Sequence, residues 1–158
     1  MTLSYILRLG EPADEARLLA LIPQLADFDV PNNRDPRTLW ASDAELLRRC
    51  LVGDAPQSFV QVAVSDDGIL GFTLTTLRPE LLSHAPSAHL EAIVVAAAAR
   101  GLGLGRELLA HAESEALARG ALSITLHAFG TNARARALYE SAGYDPELIR
   151  YSKPLSTD

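Results

Sequence analysis

The chain has 158 residues, 48% of them hydrophobic and 22% charged, with a formal net charge of −6 and one cysteine. That size and balance predict one globular domain over residues 1–158, and the acidic charge, with no dense Lys/Arg cluster, excludes a general nucleic-acid binder. The lone Cys50 excludes an intrachain disulfide and gives no metal-ligand spacing, and no apolar run approaches the ~18 residues of a membrane span.

Ser4 to Leu9 alternates as a first strand, which Gly10-Glu-Pro12 breaks. Pro12 suits a helix start, and Ala16, Leu18, Leu19, Leu21 and Ile22 carry that helix to Pro23 or just beyond. Asp27 to Trp40 is irregular, interrupted by Pro31, Asn32, Asn33 and Pro36. Ser42-Asp-Ala-Glu45 has the pattern of a capping box ahead of Leu46, Leu47, Cys50 and Leu51, so a second helix is expected to start there. Phe59 to Val64 reads as a strand buried on both faces. Asp66-Asp67-Gly68 is a hairpin turn, and Ile69 to Leu77 is the antiparallel return. Arg78 to Ser87 is expected to be a loop.

A strand then runs from Ala88 through Ile93, Val94 and Val95. Four alanines connect it to Arg100-Gly-Leu-Gly-Leu-Gly105, which opens an amphipathic helix ending before Gly120. Leu122, Ile124 and Leu126 mark the next strand. Thr131 or Asn132 caps a last helix, Ala133 to Ala142, and Tyr144 with Ile149 to Pro154 supplies a closing strand or strands. The order β-α-α-β-β-β-α-β-α-β implies an antiparallel section and one parallel crossover pair, with helices on both faces of a mixed α/β sheet.

A strand, a glycine-rich turn and a helix N-terminus make an anion site, since unpaired N–H groups of the first turn point at the ligand. The G-x-G-x-x-G dinucleotide pattern fails, because the final position is Arg106. A phosphate loop of the Gly-Lys-Ser/Thr type is absent as well. What remains is R-x-x-G-x-G, here Arg100, Gly103 and Gly105. Together with Leu90-Glu-Ala-Ile-Val-Val95 before it and Asn132-Ala-Arg-Ala-Arg-Ala-Leu-Tyr-Glu-Ser-Ala-Gly-Tyr144 after it, this resembles the GCN5-related N-acetyltransferase (GNAT) superfamily.

That resemblance implies a mostly antiparallel sheet of six to seven strands in which strands 4 and 5 are parallel and splay apart. It implies acetyl-CoA as co-substrate, no metal, and a primary amine as acceptor. The pyrophosphate would lie on the N–H groups of Leu102, Gly103, Leu104, Gly105 and Arg106, beside Gly101 and the Arg100 guanidinium. Pantetheine would pair with the main chain of Ile93, Val94 and Val95. Asn132 is implied as a pantetheine or water ligand, and also suits an N-cap. Tyr139, two helical turns on, is implied as the acid for the departing thiolate, and also suits a core aromatic.

Glu91 lies in an otherwise apolar strand, where a carboxylate is costly unless it meets a cleft or a partner. It reads as the base or the amine-orienting residue, or alternatively as one half of a structural ion pair. His89 on the same strand is the reserve candidate. His84 and Phe28 are further acceptor-side candidates, and Asp27, Asp29, Asp35, Asp43, Glu45 and Trp40 stand in the segments that would wall the acceptor. Arg34, Arg37, Arg48 and Arg49 share those segments, so charge alone does not fix the acceptor. A small amine such as a polyamine, an aminoglycoside or an amino acid leads. A protein or peptide N-acetyltransferase and a non-catalytic acyl-CoA-binding sensor or assembly subunit are the alternatives. Met1 to Gly10 lacks a signal-peptide pattern, so a cytoplasmic protein without nucleic-acid or membrane partners is expected. A homodimer is a family-level expectation.

Overall fold

A computed structural model describes residues 3–157 of the chain. Five strands form one sheet in the order β1-β2-β3-β4-β5: β1 Ile6–Leu9, β2 Ser58–Ser65, β3 Gly68–Pro79, β4 Pro86–Val95 and β5 Ile124–Leu126. The first three junctions are antiparallel, and β4 and β5 are parallel. Four helices flank the sheet: α1 Glu15–Leu21, α2 Ala41–Leu51, α3 Leu104–Ala118 and α4 Ala133–Ser141. Short 3-10 turns extend α1 on both sides, at Pro12–Asp14 and Ile22–Ala26, and precede α2 at Pro36–Leu39.

The core lies on both faces of the sheet. Leu18, Ile22, Ala44, Leu47 and Leu51 from the first two helices pack with Val60, Val62, Phe72, Leu74, Ala92 and Val94. On the other face Leu104 and Leu108 of α3 pack with Ala63, while Leu109 and Ala112 pack with Leu90 and Tyr139. Six consecutive residues of β2, Ser58 to Ala63, are buried, as a strand covered on both faces requires.

The start of α2 differs from the expected capping box. The helix begins at Ala41 with Trp40 at its N-cap and no side-chain cap, so Ser42 lies inside the first turn. A cap contributes about 1 kcal/mol, whereas each fully buried leucine contributes about 1.5–3 kcal/mol. Leu47 is fully buried, with Ala44 and Leu51 beside it, so packing sets the position of this helix. The β3–β4 hairpin also runs further than expected. Pairing continues to Arg78↔Ser87 and Pro79↔Pro86, which shrinks the connecting loop to Glu80–Ala85.

The closing strand expected over Ile149 to Pro154 does not form, so the sheet has five strands, not six or seven. Leu148, Ile149 and Tyr151 are 64%, 77% and 89% exposed. The neighbouring ladder explains this. β5 offers only Ile124–Leu126, and Pro146 and Pro154 bracket the segment without N–H donors. Few ladder bonds are available to offset the entropy of ordering it.

Two local features shape β4. Its register against β3 steps from Leu74↔Ala92 to Thr75↔Leu90, which leaves Glu91 as the extra residue of a β-bulge. On the opposite edge, β4 pairs with β5 only at Ala88, His89 and Leu90. Beyond Leu90, none of the described residues pairs with β4 on that side. The two strands part where the bulge sits.

Candidate active site

That parting opens a cleft of about 740 Å³, within the size range of ligand pockets. The cleft runs along the free edge of β4, from Glu91 to Val95, and reaches Gly101, Gly103, Leu104, Gly105 and Arg106. Its far wall is His127, Ala128 and Phe129 after β5, with Asn132, Leu138 and Tyr139 from the α4 region. Phe28, Thr38, Ser42 and Asp43 line the acceptor side.

The glycine-loop end is built from main chain. Gly103 is the N-cap of α3 at φ 85°, in the left-handed region, with no side-chain cap. The first-turn N–H groups of α3 are therefore left for a ligand. A Cβ at Gly105 would meet Leu138 Cδ2 at 3.3 Å, so glycine lets α3 and α4 approach here. Leu102 is 54% exposed and does not line the cleft. The Arg100 guanidinium is already engaged. Its Nε donates to the Val95 carbonyl (3.1 Å), Nη1 to Asp27 Oδ2 (2.8 Å) and Nη2 to Gln24 Oε1 (2.9 Å). That pairing holds the Asp27 carboxyl below its usual value.

The same segment is tied to the far wall. Arg134 Nη2 donates to the Asp27 carbonyl (3.2 Å), Thr131 Oγ1 donates to the Asp29 carbonyl (2.7 Å), and the Phe28 and Phe129 rings lie 5.5 Å apart. The α1–α2 connection thus crosses to the residues after β5, beyond the point where the strands separate.

On α4, Asn132 caps the helix and lines the cleft at once, its Oδ1 accepting from the Ala135 N–H at 3.2 Å. Tyr139 is 9% exposed and packs with Leu90, the last paired residue before the bulge. Burial pushes its phenol up to about 12, so it is fully protonated, and a hydrogen-bond donor, across the neutral range. The Tyr144 ring lies 6.1 Å away, tilted against it, and its phenol is also shifted upward, chiefly by burial.

At the acceptor end Glu91 lines the cleft with its side chain 19% exposed, and Arg78 Nη1 lies 3.8 Å from its Oε1. The carboxylate therefore faces both the cleft and a partner. Asp43 stands with it in the cleft wall, and burial together with the Glu91 charge raises its carboxyl to about 7. Sequence reading placed Asp43 among the wall residues without a role. The available signal was its spacing: Asp43 sits one turn before Leu47, on the edge of the apolar stripe of α2.

The two remaining histidine candidates are elsewhere. His84 is exposed in the β3–β4 loop at φ 59°, outside the cleft lining. His89 is buried, its Nδ1 is 2.8 Å from Thr125 Oγ1, its ring is 4.8 Å from that of His127, and burial lowers it to about 4. It joins β4 to β5 and does not line the cleft. Cys50 is half-buried, its Sγ donates to the Ser58 carbonyl at 3.3 Å, and burial pushes its thiol up, which suits a core thiol more than a nucleophile.

A family model described as the Acetyltransferase (GNAT) family matches residues 22–144. The chain belongs to the GNAT acetyltransferase family. Among curated relatives of this GNAT chain, a mycothiol acetyltransferase from Beutenbergia cavernae is 47% identical over 51 residues, 32% of this chain and 17% of that protein. The chain thus matches a small part of that relative's length. A putative acetyl transferase from Pyrococcus furiosus superposes with a TM-score of 0.77 at 25% identity, over 96% of this chain and all of that one. A ribosomal-protein-alanine N-acetyltransferase from Brucella melitensis shares the fold at a TM-score of 0.70 and 18% identity, over 97% of this chain and 100% of that one. Among the described residues no helix is long and apolar enough to cross a membrane.

Proposed function

We propose that this GNAT protein transfers an acetyl group from acetyl-CoA to a primary amine of a small molecule, by direct attack within a ternary complex. The observation that carries this reading is the parting of β4 from β5 at the Glu91 bulge. It leaves a free strand edge with a carboxylate at one end and an uncapped helix N-terminus at the other. The free segment Glu91–Val95 spans about 13 Å at ~3.3 Å per residue.

The residues present suit coenzyme A. The main chain of Ile93 and the Val95 N–H point away from β3, whose bonds are taken by Val94 through its pairing with Phe72, and offer amide groups to an extended pantetheine arm, which needs such partners once it is out of water. The pyrophosphate suits the first-turn N–H groups of α3, from Leu104 to Arg106. Because Arg100 is bound to Asp27 and Gln24, its part is to hold the α1–α2 connection against the loop, and the N–H groups supply most of the anion binding. When bound, acetyl-CoA supplies a thioester-activated acetyl group.

Each of the chain's own residues then has a task. Glu91, with Arg78 beside it at 3.8 Å, seats the ammonium of the acceptor. Main-chain N–H groups near Val94 and Val95 polarise the thioester carbonyl. The Tyr139 phenol donates a hydrogen bond to the departing sulfur. Its value of about 12 lies well above the ~8.5 of an ordinary thiol. Stabilising the developing thiolate is therefore its main contribution, and full proton transfer accompanies departure of the sulfur into water.

Thiol release measured with a polyamine, an aminoglycoside and an amino-acid amide tests this reading. Transfer to at least one is expected. Acetyl-CoA binding without transfer to any amine, peptides included, would make the chain a sensor instead. Transfer only to peptides would favour the protein-directed reading. The carboxylates at the acceptor end, Asp43 and Glu91, support the small cationic amine.

A further inference from the structure

The cleft wall holds two carboxyl groups in different settings. Glu91 on β4 has a cation beside it, Arg78 at 3.8 Å. Asp43 on α2 has none. Among the described residues its carboxylate makes no ion pair, and the charge acting on it is that of Glu91. None of the other charged groups around the cleft pairs with it. Glu45 on its own helix pairs with Arg48 at 3.7 Å and points to solvent. Asp27 and Arg100 pair with each other at 2.8 Å. Arg34 from the α1–α2 connection and Arg150 from the C-terminal segment line the same cleft, and neither pairs with Asp43.

We propose that Asp43, which lines the cleft together with Glu91, is the group that takes the proton from the bound ammonium, while Glu91 seats it. This rests on the acetyl-transfer reading given above. The N–H bond of the ammonium breaks, its proton goes to an Asp43 oxygen, and the freed lone pair attacks the acetyl carbonyl; as the C–S bond then breaks, a second N–H proton passes to the departing sulfur through water, leaving a neutral amide and a thiol. The proton leaves Asp43 to water once the product departs.

The division follows from acid strengths. An alkyl ammonium near 10.4 loses a proton to an ordinary carboxylate only against a deficit of more than six pH units. With Asp43 raised to about 7, the deficit falls to roughly three. Half-buried, with no cation beside it and the Glu91 charge acting on it, the Asp43 carboxyl is a weaker acid than an ordinary carboxyl. It is the better proton acceptor.

The test compares Asp43→Asn, Asp43→Glu and Glu91→Gln with the unaltered protein, using whichever amine of the panel it acetylates. Acetyl-CoA binding serves as the check on folding. In the unaltered protein kcat/KM should rise with pH through a limb near 7. In Asp43→Asn it should fall about 100-fold at pH 7 and lose that limb, with acetyl-CoA affinity unchanged, and Asp43→Glu should restore part of both. Glu91→Gln should keep the limb but move it to lower pH, because the neighbouring negative charge is gone. Loss of the limb in Glu91→Gln, with its retention in Asp43→Asn, would overturn the assignment and make Glu91 the base. Acetyl-CoA binding with transfer to no amine would overturn the underlying function, and this role with it.

Discussion

The two ends of the cleft are built on different principles. The cofactor end is main chain: a free strand edge, Gly103 in the left-handed region and the open first turn of α3. The acceptor end is side chain: Glu91 from β4, Arg78 from β3 and Asp43 from α2, brought together from three separate elements. A site made of backbone tolerates almost any side chain except a bulky one at its glycines. A site made of side chains can change specificity by single substitutions while the cofactor end stays intact.

Substitutions on one side should therefore leave the other side's binding unchanged, and the largest effect is expected at Glu91. Glu91→Ala should cost about 100-fold or more in kcat/KM for the amine, since the ammonium then loses its seat. Acetyl-CoA affinity, measured by calorimetry, should not move; a parallel loss would show that the two ends are one unit. Tyr139→Phe should lower kcat by roughly 10- to 100-fold, the value of one hydrogen bond to a charged atom. Pre-steady-state thiol release should show that loss in the chemical step.

Gly103→Val attacks the cofactor end. A side chain at φ 85° costs about 1–2 kcal/mol, and the branched group also crowds the N–H groups. Acetyl-CoA binding should weaken about tenfold, with KM for the amine little changed.

The smallest effect expected is on stability, in Asp43→Asn. A carboxyl raised in the folded state stabilises it fully below the unfolded value near 4, and that stability is lost as pH climbs to about 7. The asparagine variant should match the unaltered protein near pH 4 and exceed it by ~1–2 kcal/mol at pH 8, a fraction of the full shift because water relaxes around the group. Thermal melts at the two pH values read this directly.

The same contrast explains what could be read from the chain. The cofactor end is local in sequence, so strand, glycine loop and helix appear as one contiguous pattern from Leu90 to Leu109. The elements from β2 onward follow hydrophobic periodicity, and the Asp66-Asp67 turn is marked by its residue types. The acceptor end depends on tertiary placement. Arg78 looks like a loop residue until the β3–β4 hairpin is seen to extend past it. Asp43 looks like part of a capping box until packing of Leu47 moves the helix start to Ala41. His89 seemed interchangeable with Glu91 because strand alternation puts both on one face, and a bulge is invisible to alternation. The closing strand failed because its apolar residues signal a strand without revealing that β5 is only three residues long.

The bulge at Glu91 also separates folding from chemistry. Leu90 packs on the α3–α4 face, Ala92 on the α2 face and Ile93 again on the α3–α4 face. With Glu91 removed from the chain, Leu90 would adjoin Ala92 and the inside-outside alternation of the strand would run unbroken. The sheet has no need of this residue; it is an insertion held in place by its neighbours. A one-residue deletion is ordinarily ruinous in a central strand, because it turns every following side chain over. Here it would leave the facing of both halves intact and remove the bulge together with the seat for the amine, so losing this one codon should cost the protein its chemistry before its fold.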